Sequence, residues 1–489
     1  MKYKGSYFNM WDAWYLNHGE TVHAFHLKSH AGDNWNVGHV YTKDLLHFHK
    51  MRDVLETLPE EQYPNDCLGK FTGCAVEKDG TYYLFYTMRD RFRSEKIGLA
   101  LSEDLEHFTE YPGNPVLTPD PALFVVREKG NVTDCRDLHV VYDPESARYY
   151  GYFAAMADLP GRGALGTVGV AESTDLIHWE NQRIAFVPPF NGMVEVPNVF
   201  RLDGRWYLTL LTGGWYGGKG VTSDPDLSNV TILASAPSPT GPFVCGPDPV
   251  FLGGSTESGY TCRCFPFRDK TYVMYIDRSR YGAAISLPKE VRLVDGTPKP
   301  CYTPILRQLR TGKAWPLPTP VPMPTAWPWP GISAGEAAVT EGSVRVRTAP
   351  YSLQAFRFPE TASPSLEIET EPCVSATEAG LVLLCHSQEE QVWGRSAESE
   401  YFLSFLPREN AVILYENENQ FHPICRRKMT VPDRFSLRVL AMEGQLEVYV
   451  NDTLFLQYGI RTEAKIEAGV FAMNGQAEFR NLTVYELEK

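Results

Sequence analysis

No run of eighteen apolar residues occurs anywhere in this 489-residue chain, and its opening, MKYKGSYFNMWDAW, carries no apolar stretch of the leader-peptide kind. The sequence therefore predicts no membrane partner and a cytoplasmic location, although a secreted protein already stripped of its leader would read the same way. An excess of positive charge is also missing. Lys and Arg number 46 against 60 Asp and Glu, a formal net charge of −14. Such a chain repels phosphate backbones, so no nucleic-acid partner is expected. The ten cysteines are scattered. Cys262 and Cys264 form C-x-C, and no second pair stands at zinc-ligand spacing. No metal site and no organic cofactor are predicted, and the thiols read as reduced. Helical periodicity with caps is absent over any long stretch.

What is abundant is the material of strands. Aromatics make up 12% of the residues, which suits β-structure and equally suits a cleft that stacks apolar sugar faces. One pattern recurs five times: a polar turn, then alternating aromatic and aliphatic residues. It stands as HGETVHAFHL near residue 20, KDGTYYLFYT near 80, ESARYYGYFAA near 147, LDGRWYLTLL near 204 and FRDKTYVMYID near 270. Each copy reads as a β-hairpin. A second pattern follows it, as TKDLLHF at 42–48, SEDLEHF at 102–108 and STDLIHW at 173–179, with a looser fourth copy, SAPSPTGPF, at 235–243. Multi-strand repeats at intervals of roughly 60 residues predict propeller blades. The fold class is thus all-β: a five-bladed β-propeller over 1–310, with a two-sheet sandwich as the structural alternative. A proline-rich stretch over 311–335 reads as a linker laid along the first domain and unable to pair as strands. Alternating segments such as QLEVYV predict a β-sandwich over 336–489.

The segment before each hairpin would form the innermost strand of a blade. Blade one has NMWDAWYL with Asp12, blade two KFTGCAV with Thr72, and blade three DCRDLHVVYD with Arg136 and Asp137. Blade four has GMVEVPNVF with Glu195, and blade five TCRCFPF with Arg263. Three carboxylates flanked by apolar residues would converge at one mouth of the central channel. A lone acid there is most simply a salt-bridged strand end, but three in register fit a glycosidase better. Crowded carboxylates push their pKa values apart and yield a proton donor beside an ionised group.

These segments, in order and spacing, resemble glycoside hydrolase family 32, the invertase, inulinase and levanase family. NMWDAWYL resembles the family's W-M-N-D-P-N-G, and VGHVYTKDLLHF its W-G-H-A segment. FTGCAV resembles F-S-G-S-A, CRDLHVVYD resembles R-D-P, VEVPNVF resembles E-C-P, and SLPKEVRL resembles the end of the family propeller. The resemblance implies a retaining β-fructofuranosidase-type hydrolase acting on fructans or other small oligosaccharides. Asp12 would be the nucleophile, Glu195 the acid/base and Asp137 the transition-state stabiliser. Phe71, Thr72 and Arg136 would contact the sugar, with Trp11, Trp14 and Trp35 as an apolar wall. The chain departs from the family at Ala13 and Trp14 after Asp12, at Leu27, at Leu138 and at Val196. These changes remove polar contacts and point to an unusual fructoside, a cyclic difructose or another furanoside rather than sucrose. Two other readings stand beside this one: an inverting furanosidase or xylosidase of the family 43 type, and a non-catalytic carbohydrate-binding protein. Homo-oligomerisation is left open.

Overall fold

The structure is a computed structural model. It describes residues 4–5, 10–29, 35–57, 60, 65–126, 133–190, 192–213, 229–253, 260–279, 282–312, 314–323, 334–386, 398–417, 421–460 and 465–488. They form two compact units, Met1–Pro300 and Cys301–Lys489. Both are built almost entirely from strands; among the described residues the helical segments are three short 3-10 turns, Pro304–Leu309, Pro359–Thr361 and Pro407–Glu409.

The first unit is a five-bladed propeller. Its inner strands are Met10–His18, Gly69–Lys78, Cys135–Asp143, Glu195–Leu202 and Tyr260–Phe267. Each pairs antiparallel with the strand after it: Thr21–Ser29, Thr81–Arg89, Arg148–Leu159, Arg205–Gly213 and Lys270–Ser279. These five pairs are the five aromatic hairpins repeated in the sequence. The inner strands neighbour one another in chain order, and the fifth returns to the first. Closure has a device the repeat pattern does not announce. Lys4–Gly5 pairs with Gly282–Ile285, so the first strand of the sequence belongs to the last blade.

The D-L-x-H segments are turns built around one carboxylate. Asp44 Oδ1 accepts from the Leu46 and His47 N–H groups at 2.9 and 2.8 Å, while Thr42 Oγ1 accepts from Leu45 N–H at 3.0 Å. Asp104 and Asp175 repeat the arrangement with Ser102 and Ser173. The leucine after each Asp stands at positive φ, 65° at Leu45, 64° at Leu105 and 70° at Leu176. The aromatic closing the motif, Phe108 or Trp179, packs against its blade core.

All five inner strands carry a bulge, and its register decides which side chains meet. In blade one Trp11 stands opposite Leu27 and Ala13 opposite His26, so the ladder skips Asp12. Blade two skips Thr72 and Gly73, blade three Asp137 and Leu138, blade four Val196 and Pro197, and blade five Thr261 and Cys262. Such bulges bend the strand and re-aim a side chain. Asp137, Val196 and Thr261 adopt φ of 60°, 53° and 52°. For the β-branched Val196 and Thr261 that conformation is strained, of order 1–3 kcal/mol each. Gly73 shows why no side chain fits there in blade two, because an added Cβ would lie 1.9 Å from the Phe85 carbonyl oxygen.

The second unit is a β-sandwich of two antiparallel sheets. One contains Leu353–Arg357, Lys465–Met473, Glu378–His386, Glu398–Leu406, Ala411–Asn417 and Phe421–Lys428. The other contains Gly335–Thr340, Ser343–Thr348, Gln476–Glu486, Leu366–Val374, Leu437–Met442, Gln445–Val450 and Thr453–Gly459. Their facing sides bury one apolar core that includes Val344, Leu381, Phe405, Val439, Val470 and Phe479. Two expectations change here. The unit begins at Cys301 rather than after 310, because Tyr302 N–H donates to Asp452 O and Leu306 and Leu309 are buried. The proline-rich stretch is also not a linker laid along the propeller over its described part. Trp315 N–H donates to Val484 O, and Val321–Pro322 pairs with Arg357 and Phe356 as an edge strand. Proline is admissible at such an edge, where its missing N–H has no partner to lose. Residues 324–333 lie outside the described residues.

Candidate active site

The bulges place Asp12 and Asp137 at equivalent positions, the first residue that the ladder skips in their strands. Glu195 is one residue earlier in register. Its counterparts are Arg136, Phe71 and Trp11, each the last paired residue before the bulge. The three acids are therefore not strictly equivalent, contrary to the sequence alignment of the inner strands.

A chain of hydrogen bonds joins the two aspartates. The Thr72 hydroxyl donates to Asp12 Oδ2. The Thr87 hydroxyl donates to Thr72 O at 2.8 Å and accepts from Asp137 N–H at 2.9 Å. Asp137 Oδ2 in turn accepts from Val196 N–H at 2.9 Å. The strained φ of Val196 aims that N–H, so the residue beside Glu195 holds the Asp137 carboxylate.

Arg136 organises the other side. Its Nη1 reaches Asp134 Oδ1 at 2.8 Å and Glu95 Oε2 at 3.2 Å. Its Nη2 reaches Glu195 Oε1 at 3.3 Å, and its Nε faces Asp137 Oδ2 at 3.7 Å. Burial pulls the Arg136 pKa down, but Glu95, Glu195, Asp137 and Asp134 together hold it well above the ordinary value. Burial pushes the Asp137 carboxyl up to about 8; Glu195 and Asp12 add to the rise, while Arg136 and the Val196 N–H oppose it. The Glu195 side chain keeps 21% exposure against 6% for Asp137, so of these two it is the one open to exchange protons with water.

Beside the acids stands an aromatic group. Trp11 and Trp35 meet edge to face at 5.8 Å, and Trp35 lies 6.4 Å from Phe71. Arg89 covers the Phe71 ring at 4.1 Å and pairs with Glu95. Trp14 does not belong to this wall. It is 1% exposed, stacks on Phe25 at 6.2 Å and packs with Leu16 and Leu84 in the core. The register sets Trp11 opposite Leu27 and Trp14 opposite Phe25, so the two share a face and Trp14 is the one enclosed by the core. A cavity of about 640 Å³ adjoins Glu95, lined also by Asp90, Phe92 and Thr133, within the range of small-ligand sites.

Sequence reasoning missed Thr87, Glu95, Arg89, Asp134 and the Val196 N–H. Thr87 and Arg89 close the second aromatic hairpin, where β-formers are expected for packing alone. Glu95 opens a strand with no motif around it. Among the described residues no cluster of His, Cys, Asp and Glu is arranged to hold a metal ion.

Comparison with known proteins adds two findings. Residues 13–238 match the model of the glycosyl hydrolases family 32 N-terminal domain, a match that starts one residue after Asp12. Among solved structures, a Bombyx mori GH32 beta-fructofuranosidase aligns at 17% identity and a TM-score of 0.66, covering 99% of this chain and 94% of its own. Fructan 1-exohydrolase IIa from Cichorium intybus aligns at 12% identity and 0.68, covering 100% and 97%. A sucrose-6-phosphate hydrolase from Lactobacillus gasseri aligns at 12% and 0.67, covering 99% and 93%. At such identities the likeness establishes the shared propeller-and-sandwich fold.

Proposed function

With its N-terminal unit a member of glycosyl hydrolase family 32, we propose that this chain is a glycosidase that hydrolyses fructofuranosyl linkages, using Asp12, Asp137 and Glu195. The observation that carries the reading is the bonded path from Asp12 through Thr72 and Thr87 to Asp137 and Val196, flanked by Arg136 and Glu195.

In this reading Asp12 attacks the anomeric carbon, oriented by the Thr72 hydroxyl. Glu195, the more exposed acid, protonates the leaving oxygen and then takes a proton from water. Asp137 moves no proton between substrate and solvent. Fixed by Val196 N–H and Arg136, it meets the ring hydroxyls, whose hydrogen bonds strengthen as positive charge develops on the sugar. Trp11, Trp35 and Phe71 offer an apolar surface to the other face of the ring. The apolar surround of Asp12, Trp11 before it and Ala13 after it, favours a fructoside other than sucrose, or another furanoside.

The test is turnover of sucrose, inulin, levan, difructose anhydrides and aryl furanosides, with proton NMR of the first-formed anomer. Monosaccharide release with retained configuration, abolished in Glu195→Gln and Asp12→Asn, is expected. First-formed product of inverted configuration would replace the double displacement with a single one. Tight sugar binding without release by the intact chain would overturn the enzymatic reading.

A further inference from the structure

One buried cation has no part in the mechanism above. Arg263 is 2% exposed, on the inner strand of blade five. It is the first residue to pair again after the bulge, in register with Cys74, His139 and Asn198 of the other blades, one layer below Asp12 and Asp137. Among the described residues its guanidinium is answered by main-chain carbonyls rather than by a carboxylate. Nη1 donates to Pro197 O at 2.5 Å and Nη2 to Gly73 O at 3.4 Å, while Nε has no partner. Both carbonyls belong to bulges, those of blades four and two.

A buried charge with no ionic partner is costly, so its persistence requires a field that favours it. Seven ionisable side chains of the inner strands face it. Burial keeps Tyr15, Cys74, Cys262 and Cys264 protonated and thus neutral, Cys74 and Cys262 pushed up to about 12 and Cys264 well above its ordinary value. It lowers His139 to about 3, which leaves a neutral imidazole. Burial lowers the pKa of Arg263 itself, and Asp137 and Asp12 work against that. The groups left to carry negative charge toward Arg263 are therefore Asp12 and, above its raised pKa, Asp137.

We propose that Arg263 is a positioning residue of this centre. Its charge favours the carboxylate form of Asp12, and its fork ties the bulge that follows Glu195 to the bulge that carries Thr72. The inference rests on the hydrolase reading for its kinetic consequence but not for its electrostatic one.

The test compares the intact chain with Arg263→Gln and Arg263→Lys. The acid limb of the kcat/KM profile should rise by about one pH unit or more in Arg263→Gln, the usual effect of losing a nearby opposite charge. It should stay in place in Arg263→Lys, with turnover lowered because an ammonium cannot span both carbonyls. A folded Arg263→Gln with an unmoved acid limb overturns the proposal. If the intact chain turns over no fructoside, the function fails first, and carboxyl 13C titration then decides this point separately. The Asp12 signal, assigned by its loss in Asp12→Asn, should titrate at higher pH in Arg263→Gln than in the intact chain. An Asp12 signal that titrates at the same pH in the two proteins overturns the proposal; if Arg263→Gln does not fold, Arg263→Met takes its place in the comparison.

Discussion

Asp137→Asn should make the propeller more stable at alkaline pH while removing most of its activity. In the folded chain the Asp137 carboxyl is moved from an ordinary 3.8 up to about 8, chiefly by burial. Unfolded, the same group ionises near its ordinary value. Between those two points the folded state holds one proton more than the unfolded state, so stability falls as pH rises through the interval. The effect is complete below pH 4, declines across pH 4–8 and is gone above. Each unit corresponds to about 1.4 kcal/mol, which gives on the order of 3–5 kcal/mol once coupling to Glu195 and Asp12 is allowed for. Asparagine is isosteric and keeps an oxygen to accept from Val196 N–H, so the variant removes the charge with little else. Urea unfolding of the propeller transition, followed at pH 4.5 and 8.5, reads the difference directly. The intact chain should lose several kcal/mol more than the variant between the two pH values. Parallel behaviour of the two proteins would show that the carboxylate is ionised at no cost to the fold and that the electrostatic account of the site is wrong. In the same variant turnover should fall on the order of 10²–10³-fold, the usual effect of removing one preorganised electrostatic contact.

Other outcomes follow from the same geometry. Arg136→Met leaves Glu95, Asp134, Asp137 and Glu195 without their shared cation, and unfolding should show a loss of about 3–5 kcal/mol at pH 7 that shrinks toward pH 4. Trp14→Ala should cost about 3–5 kcal/mol of stability as a core truncation, whereas Trp11→Ala should chiefly raise KM, so denaturation and kinetics separate the two tryptophans. Gly73→Ala drives a Cβ into the Phe85 carbonyl, and the soluble folded yield should collapse. Thr72→Val removes the donor to Asp12, and kcat/KM should fall at least tenfold with an unchanged unfolding midpoint.

The repeat of aromatic hairpins was legible in the sequence because each blade solves the same burial problem with the same alternating pattern. The D-L-x-H turns were legible because one carboxylate satisfies two N–H groups at a fixed spacing. The bulges were not. A skipped residue is visible only as a change of partner across the ladder, and nothing in CRDLHVVYD or VEVPNVF says which side chain the chain will skip. Hence Glu195 aligns by sequence with Asp137 when its counterpart in register is Arg136, and Trp14 shares a face with Trp11 yet is enclosed in the core. Glu95, Asp134 and Thr87 were invisible for another reason, since each becomes functional only through a neighbour supplied by a different blade or strand. The proline-rich stretch misled because its composition forbids a central strand but permits an edge.

The pairing of Lys4–Gly5 with Ala283 and Ala284 ties together residues about 280 positions apart. On a ribosome adding roughly 5–20 residues per second, the opening segment waits on the order of 15–60 s for its partner to emerge. The ring is thus latched last, after four blades already exist. A rigid fusion that restrains those first few residues should delay maturation of the whole propeller without touching any side chain of its centre.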